Sequence, residues 1–221
     1  MINRIKKEIK QYKKLDYSGI FFHALYLIKR NITILFFNRF INYSCSIKGI
    51  KLGKNIVFNG NPLIRRYPNS TISFGDNCRF NSSKNSLTIG LHQPCSFVTV
   101  GENAEILFGN NSGASGLKIH ARSKIIIGNN VLIGSNCTIL DNDAHHADPT
   151  KREMGIIPSR PIIIEDNVFI GLQCVILKGV TIGKNSVIGA NSVVFNNIPE
   201  NSIAVGNPCK VIMRRNPANY Q

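Results

Sequence analysis

The chain is 221 residues long, 43% hydrophobic, without Trp, and carries a formal net charge of +15. That length suits one sizeable domain plus a small appendage, and the apolar fraction is ordinary for a globular protein. The six cysteines, Cys45, Cys78, Cys95, Cys137, Cys174 and Cys209, show no C-x-x-C pair or other zinc-type spacing, which argues against a metal cluster and for reduced, small apolar fillers in a cytosol.

The charge is unevenly placed: residues 1–54 hold 12 Lys or Arg against Glu8 and Asp16, a surplus of +10. Such a head suits an acidic partner, whether anionic lipid, an acidic glycan or nucleic acid, and equally a solvated basic helix. Within it, Ile2, Ile5, Ile9 and Tyr12 fall at helical spacing with lysines on the other face, predicting a short amphipathic helix over 2–14. No small-residue cleavage site follows a clean apolar core, so no signal peptide is expected. Residues 20–41 (IFFHALYLIKRNITILFFNRFI) are apolar but interrupted by Lys29, Arg30 and Arg39, which speaks against a spanning helix. Residues 1–45 therefore read as a basic helical segment. It could lie on a membrane's cytoplasmic face through residues 1–41, contact a neighbouring subunit, or cap the open end of the domain that follows.

From Ile50 a six-residue texture begins, imperfect at first in IKLGKNIVF and ISFGDNCRF. It becomes regular from Ile164 to Val194, where a β-branched aliphatic stands at 164, 170, 176, 182, 188 and 194. A helix repeats its apolar face at 3.6 residues and a strand at 2, so a sustained period of six predicts a coil of short, flat strands joined by tight turns. One such segment cannot bury its own apolar side; stacking at strand spacing, about 4.8 Å per coil, creates the core. The recurring glycines, such as Gly128 and Gly134, and the Asn residues after them suit the positive φ of a sharp corner. An all-β stacked coil is thus expected over 46–200, with a closing strand and basic tail over 201–221.

Ala121, Ile127, Ile133 and Ile139 hold the same phase, but Ile139 to Ile164 is 25 residues, one more than a multiple of six. The polar segment 141–161, with its prolines, is therefore expected to loop out of the coil. It gathers Asp141, Asp143, His145, His146 and Asp148 within eight residues. An imidazole there could take a proton from an attacking hydroxyl or amine, with a carboxylate fixing its tautomer. The same spacing fits a turn whose Asp side chains cap backbone amides, and spacing alone leaves both readings open. His23, His92, His120, His145 and His146 form no spaced pair suited to adjacent coils, so no metal is expected. No P-loop, Rossmann fingerprint, G-x-S-x-G elbow or nucleic-acid motif is present, and no nucleic-acid partner is expected. A phosphate-bearing donor would have to use scattered cations, with Lys210, Arg214 and Arg215, and also Lys178 and Lys184, as candidates.

The tandem [ILV]-G-x-N-x-[VI] hexads, the D-N-D-x-H-H loop and the ending I-P-E-N-S-I-A-V-G-N-P-C-K-V-I together resemble the left-handed β-helix, hexapeptide-repeat acyltransferases. Within them, the chain is similar to the sugar and polysaccharide O-acetyltransferases related to galactoside and maltose acetyltransferases, from about residue 100 to 215 and more loosely from 50. The resemblance implies a left-handed β-helix, a homotrimer, and acetyl-CoA bound in the groove between subunits. It implies His145, or His146 in the other register, as the base that activates an acceptor hydroxyl, with Asp141 and Asp143 orienting it or holding the sugar. It places the donor along Gly171, Leu172, Gly189 and Ala190, with Lys210 and Arg214 toward its phosphates. Phe195 and Asn196 replace a common Thr-Lys, and Met213 stands where a second basic residue is expected. The implied activity is O-acetylation of a bacterial surface glycan or its precursor in the cytoplasm, at the inner face of the membrane. N-acetylation of an amino-sugar nucleotide is the alternative, and a scaffolding β-helix the non-enzyme one.

Overall fold

The computed structural model describes residues 16–83, 86–87, 90–155 and 157–214. The helix expected over 2–14 and Arg215 lie outside them. The first element, α1 (Tyr17–Ile47), is 31 residues long and begins at Asp16, whose carboxylate accepts the amide of Gly19 at 2.9 Å. Its Leu27, Ile41 and Cys45 are buried, while much of its opposite side is open.

Parallel strands follow in a repeating order that winds through three sheets. One sheet runs through Lys51–Leu52, Thr71–Phe74, Glu105–Phe108, Lys124–Ile127, Ile162–Ile164 and Thr181–Ile182. The second includes Leu132–Ser135, Phe169–Ile170, Val187–Ile188 and Ser202–Val205. The third includes Lys118–Ala121, Thr138–Leu140, Val175–Leu177 and Val193–Val194. Each coil visits the three in turn, which is the triangular left-handed β-helix that the period of six implied. Ile164, Ile170, Ile176, Ile182, Ile188 and Val194 are all 0% exposed. Ile127 pairs with Ile164 and Ile164 with Ile182, so the ladder runs unbroken across the loop. In the early coils the hexads degenerate because phenylalanine replaces the aliphatics. Phe58, Phe74, Phe80, Phe97 and Phe108 interlock with ring centroids 5.0–5.9 Å apart, and small Ala114 stacks on Phe80 where a second ring would crowd. The cysteines are all buried and free; Cys137 and Cys174 donate to the carbonyls of Gly171 and Gly189 at 3.0 and 3.1 Å.

One corner is built by asparagine. Asn55, Asn77, Asn111, Asn130, Asn167, Asn185 and Asn201 all sit at φ of 55–60°. Each amide nitrogen donates to the side-chain oxygen of the next, at 2.9–3.2 Å, in one ladder along the molecule. Asn tolerates the left-handed backbone and adds a side-chain bond that Gly cannot.

Both ends of the stack are closed. At the first coil, Asn38 of α1 donates to the carbonyl of Phe58 at 2.8 Å and accepts its amide at 2.9 Å, replacing the missing strand neighbour. This is the capping role, one of the three considered for this segment. At the last coil, Lys210–Arg214 turns back antiparallel to Ser202–Val205.

The loop between Leu140 and Ile162 leaves at a corner held by Asp141. Ile164 pairs with a residue 18 further on and Ile127 with one 37 further on, so the excursion adds 19 residues to a coil. Asp141 is fully buried and accepts the amides of Arg122 and Ser123, each at 2.7 Å, and the side chain of Asn142 at 2.9 Å. The departing chain no longer supplies acceptors to that turn, so a carboxylate does.

Asn167→Gly should lower the melting temperature slightly by cutting the ladder. Asn167→Ala should cost about 1–2 kcal/mol more because Ala resists the left-handed backbone; equal melting of the two variants would remove that account. Asp141→Ala should lose about 2–4 kcal/mol, since it strands buried donors, read as a fall in the denaturation midpoint, with Asp141→Asn recovering part of it.

Candidate active site

The histidine loop opens with a tight turn. Asn142 is buried; its side-chain nitrogen lies 3.2 Å from Nδ1 of His120 and donates to that residue's carbonyl, and its oxygen accepts the amide of Ala144 at 3.0 Å. Ala144 takes φ of 60°, which reverses the chain and sends His145 outward. The base of the loop is closed by a bridge between Asn142 and Ser159. Its far side is a 3-10 helix, Pro149–Met154, capped by Asp148, whose carboxylate accepts the amide and hydroxyl of Thr150 at 2.9 and 2.7 Å. Those two bonds, hydroxyl first, hold the Asp148 carboxyl below its ordinary value, and the neighbouring His146 adds to the effect.

The two histidines differ in what they touch. His146 is half-buried, and its Nδ1 accepts the amide of Asp148 at 3.1 Å. That bond occupies the Nδ1 lone pair and puts the proton of the neutral ring on Nε2. His145 is exposed, and among the described residues its ring makes no hydrogen bond; its backbone amide donates to the carbonyl of Asp143 at 2.7 Å.

Asp141 and Asp143 bond to groups other than a histidine ring. Asp141, expected to orient the base or hold the sugar, is sealed in the coil corner with its oxygens taken by amides, because that corner needs an acceptor more than the loop does. Asp143 pairs with Lys178, at the corner of the following coil, and so pins the loop to the stack. Lys184, the other lysine of the coil surface with a phosphate in prospect, pairs with Glu200 at 3.1 Å. Spacing alone singled out the acidic residues but not Asn142 or His120. His120 lies on an outward position of Lys118–Ala121, in register with Leu140, and stands 22 residues from Asn142 in the sequence.

The second cluster lies at the other edge of the same sheet. Gly134, Gly171 and Gly189 stack on successive coils, where a Cβ on Gly171 would stand 2.5 Å from the amide nitrogen of Ala190 and one on Gly189 would stand 2.6 Å from Val205. Only glycine permits this approach. The amides of Gly171 and Gly189 are spent on the ladder, donating to Ile188 and Ala204 at 2.7 and 2.8 Å. Those of the next residues, exposed Leu172 and Ala190, make no backbone hydrogen bond among the described residues. Val205 pairs with Lys210, which brings that exposed lysine beside the column; Arg214 is exposed further along the same strand, opposite Ser202. In one subunit the column and the histidine loop are separated by the width of the sheet, on the order of 15 Å at about 3.3 Å per residue. Among the described residues, no group of three or more His, Cys, Asp or Glu is placed to hold a metal ion.

A family model described as hexapeptide repeat of succinyl-transferase matches residues 124–139 and 161–196, on either side of the loop. The galactoside O-acetyltransferase of Lactococcus lactis subsp. lactis is 37% identical over 139 residues, which are 57% of this chain and 67% of the relative. A solved galactoside acetyltransferase in complex with coenzyme A is 30% identical, with a TM-score of 0.50, over 76% of this chain and 66% of that one. The N-acyltransferase AntD from Bacillus cereus, in complex with dTDP and 3-hydroxybutyryl-CoA, reaches a TM-score of 0.61 over 80% of this chain and 89% of its own, at 20% identity, a likeness of fold. With its buried six-residue ladder, its glycine column and this identity, the chain belongs to the left-handed β-helix, hexapeptide-repeat acyltransferases, in the branch of the sugar O-acetyltransferases.

Proposed function

We propose that the chain transfers the acetyl group of acetyl-CoA to a hydroxyl of a bacterial surface glycan or its precursor, with His145 as general base, in grooves between the subunits of a homotrimer. The observation that carries the assignment of the base is the contrast between the two imidazoles: Nδ1 of His146 accepts the amide of Asp148, whereas the exposed ring of His145 makes no hydrogen bond among the described residues. The glycine column fits the donor, since a Cβ-free edge beside the amides of Leu172 and Ala190, which make no backbone hydrogen bond among the described residues, suits a thin pantetheine arm. Lys210 and Arg214 then serve its phosphates. The sheet that separates column from loop within a subunit is what calls for a neighbour, whose column would face this loop across a three-fold, head-to-tail interface.

In the reaction, a ring nitrogen of His145 takes the proton of the acceptor hydroxyl as its oxygen attacks the thioester carbonyl carbon. A backbone amide of the column receives the developing oxyanion. The C–S bond then breaks, and the departing thiolate of coenzyme A takes the proton back from the imidazolium. No group of the chain is acylated. Asp143 and Lys178, by pinning the loop, hold the imidazole at a constant height along the stack.

His145→Ala should lower kcat/KM about 10²–10⁴-fold, measured as thiol release from acetyl-CoA with a panel of glycans and amino-sugar nucleotides, while His146→Ala should keep most turnover. Full activity in both variants removes histidine base catalysis, and turnover confined to amino-sugar nucleotides makes this an N-acetyltransferase. The shared groove has a separate test. Coexpressing His145→Ala with Ala190→Arg, each inactive alone, should restore up to about a third of the activity, because one groove of a mixed trimer then has both halves intact. No recovery in verified mixed assemblies would place the whole site within one subunit.

A further inference from the structure

The base of the coil, where α1 lies, carries a surface that acyl transfer does not use. Phe21, Leu25, Ile32, Leu35, Phe36 and Tyr43 fall within an arc of about 100° on the helix, facing away from the coil, and each is 54–70% exposed. Lys29 and Arg39 are exposed on the same side. From Tyr17 to Gly75 the sequence has no Asp or Glu and eight Lys or Arg, and the fifteen residues before Asp16 add six more against Glu8 alone. Among the described residues, Lys29, Arg30 and Arg39 make no ion pair.

Two cavities adjoin on this surface. One, of about 290 Å³, is lined by Tyr26, Lys29, Arg30, Thr33 and Asn59 with Ser83 and Ser86: two cations and a set of neutral hydrogen-bonding groups, with no carboxylate. The Arg30 guanidinium stands 5.7 Å from the centre of the Tyr26 ring. The other, of about 480 Å³, is an apolar groove along Phe22, Leu25, Ile28 and Ile32, and it shares Tyr26, Lys29 and Thr33 with the first. A third cavity at the same end is lined by Lys48, Arg65 and Arg66 with Leu63 and Ile64.

We propose that this face docks on an anionic lipid bilayer, the phosphate of one lipid entering the Lys29–Arg30 pocket and its acyl chain lying in the adjoining groove. The ligand's chemistry follows from the pairing: an anion with hydrogen-bond acceptors at one end and an apolar chain at the other. A second copy of the chain fits poorly, because Lys29 and Arg39 stand among the apolar side chains and two copies would bring like charges together. A helix with aromatic and aliphatic side chains on its outer side and cations among them suits the headgroup boundary, where lysine and arginine extend to the phosphates. α1 is also long and apolar enough, by length and composition, to cross a bilayer. Its bonds to Phe58 and the burial of Leu27, Ile41 and Cys45 keep it laid against the coil, which fits a helix lying in the interface.

The test uses the full chain with vesicles of phosphatidylcholine alone or with a third phosphatidylglycerol, scored by flotation. Wild type should float with the anionic vesicles and at least tenfold less with the neutral ones, and high salt should weaken it. Lys29→Glu/Arg30→Glu and, separately, Leu25→Asp/Phe36→Asp should each lose at least tenfold in binding while keeping wild-type melting, oligomeric mass and turnover on a small soluble acceptor. Wild type that stays unbound with anionic vesicles overturns the proposal. So does undiminished flotation of both double variants, or a change of oligomeric mass in Leu25→Asp/Phe36→Asp, which would mean that other copies cover the helix. Flotation, melting and oligomeric mass are read without acetyl transfer, so failure of the proposed reaction and failure of membrane docking are distinguishable.

Discussion

Every coil must set its inward side chain directly above the one below, and the rest of the molecule follows from that requirement. The apolar interior is one residue deep on each sheet, so a column out of register would leave a void that no neighbour could fill. Corners must therefore be identical in geometry from coil to coil. The asparagine ladder achieves this by holding seven consecutive corners in the left-handed backbone and bonding each to the next. Where side chains are larger, as in the phenylalanine coils, a small residue such as Ala114 restores the fit, and the axis is kept.

A stack so constrained tolerates an insertion only at a corner, and only if that corner's donors are satisfied in another way. Asp141 performs this service. Its burial means that a carboxylate placed beside histidines in sequence bonds to the coil, and the loop beyond it carries the exposed His145. The loop is then tied back to the following coil through Asp143 and Lys178, and to the preceding one through Asn142 and His120. Three coils thus set the position of one turn.

The same repetition creates the glycine column. Stacked glycines arise because successive backbones pass too closely for a Cβ, and the result is an edge without side chains at those positions, next to the amides of Leu172 and Ala190, which make no backbone hydrogen bond among the described residues. The ends of the stack are a different problem, since an open coil would invite further strands. The last coil is turned back on itself by an antiparallel strand, and the first is covered by α1, whose Asn38 imitates a strand neighbour. The outer side of that cover is apolar and cationic, a composition the cap by itself does not need.

Much of the fold was legible in the sequence because a period of six has only one way to bury itself: the residues it marked, from Ile164 to Val194, are fully enclosed. The phase slip before Ile164 located the loop for the same reason, since any chain that leaves a ladder must return in register. Local spacing also exposed the histidines as a cluster. It could not tell which carboxylate serves the coil and which the loop, because Asp141 and Asp143 are two residues apart in sequence yet face different coils. Nor could it find His120 and Asn142, whose contact spans 22 residues and exists only once two coils are stacked. The sequence by itself determined the repeat, because inward stacking depends on residues at fixed intervals. Only the tertiary structure decided the partners of each polar group, because those partners come from other coils.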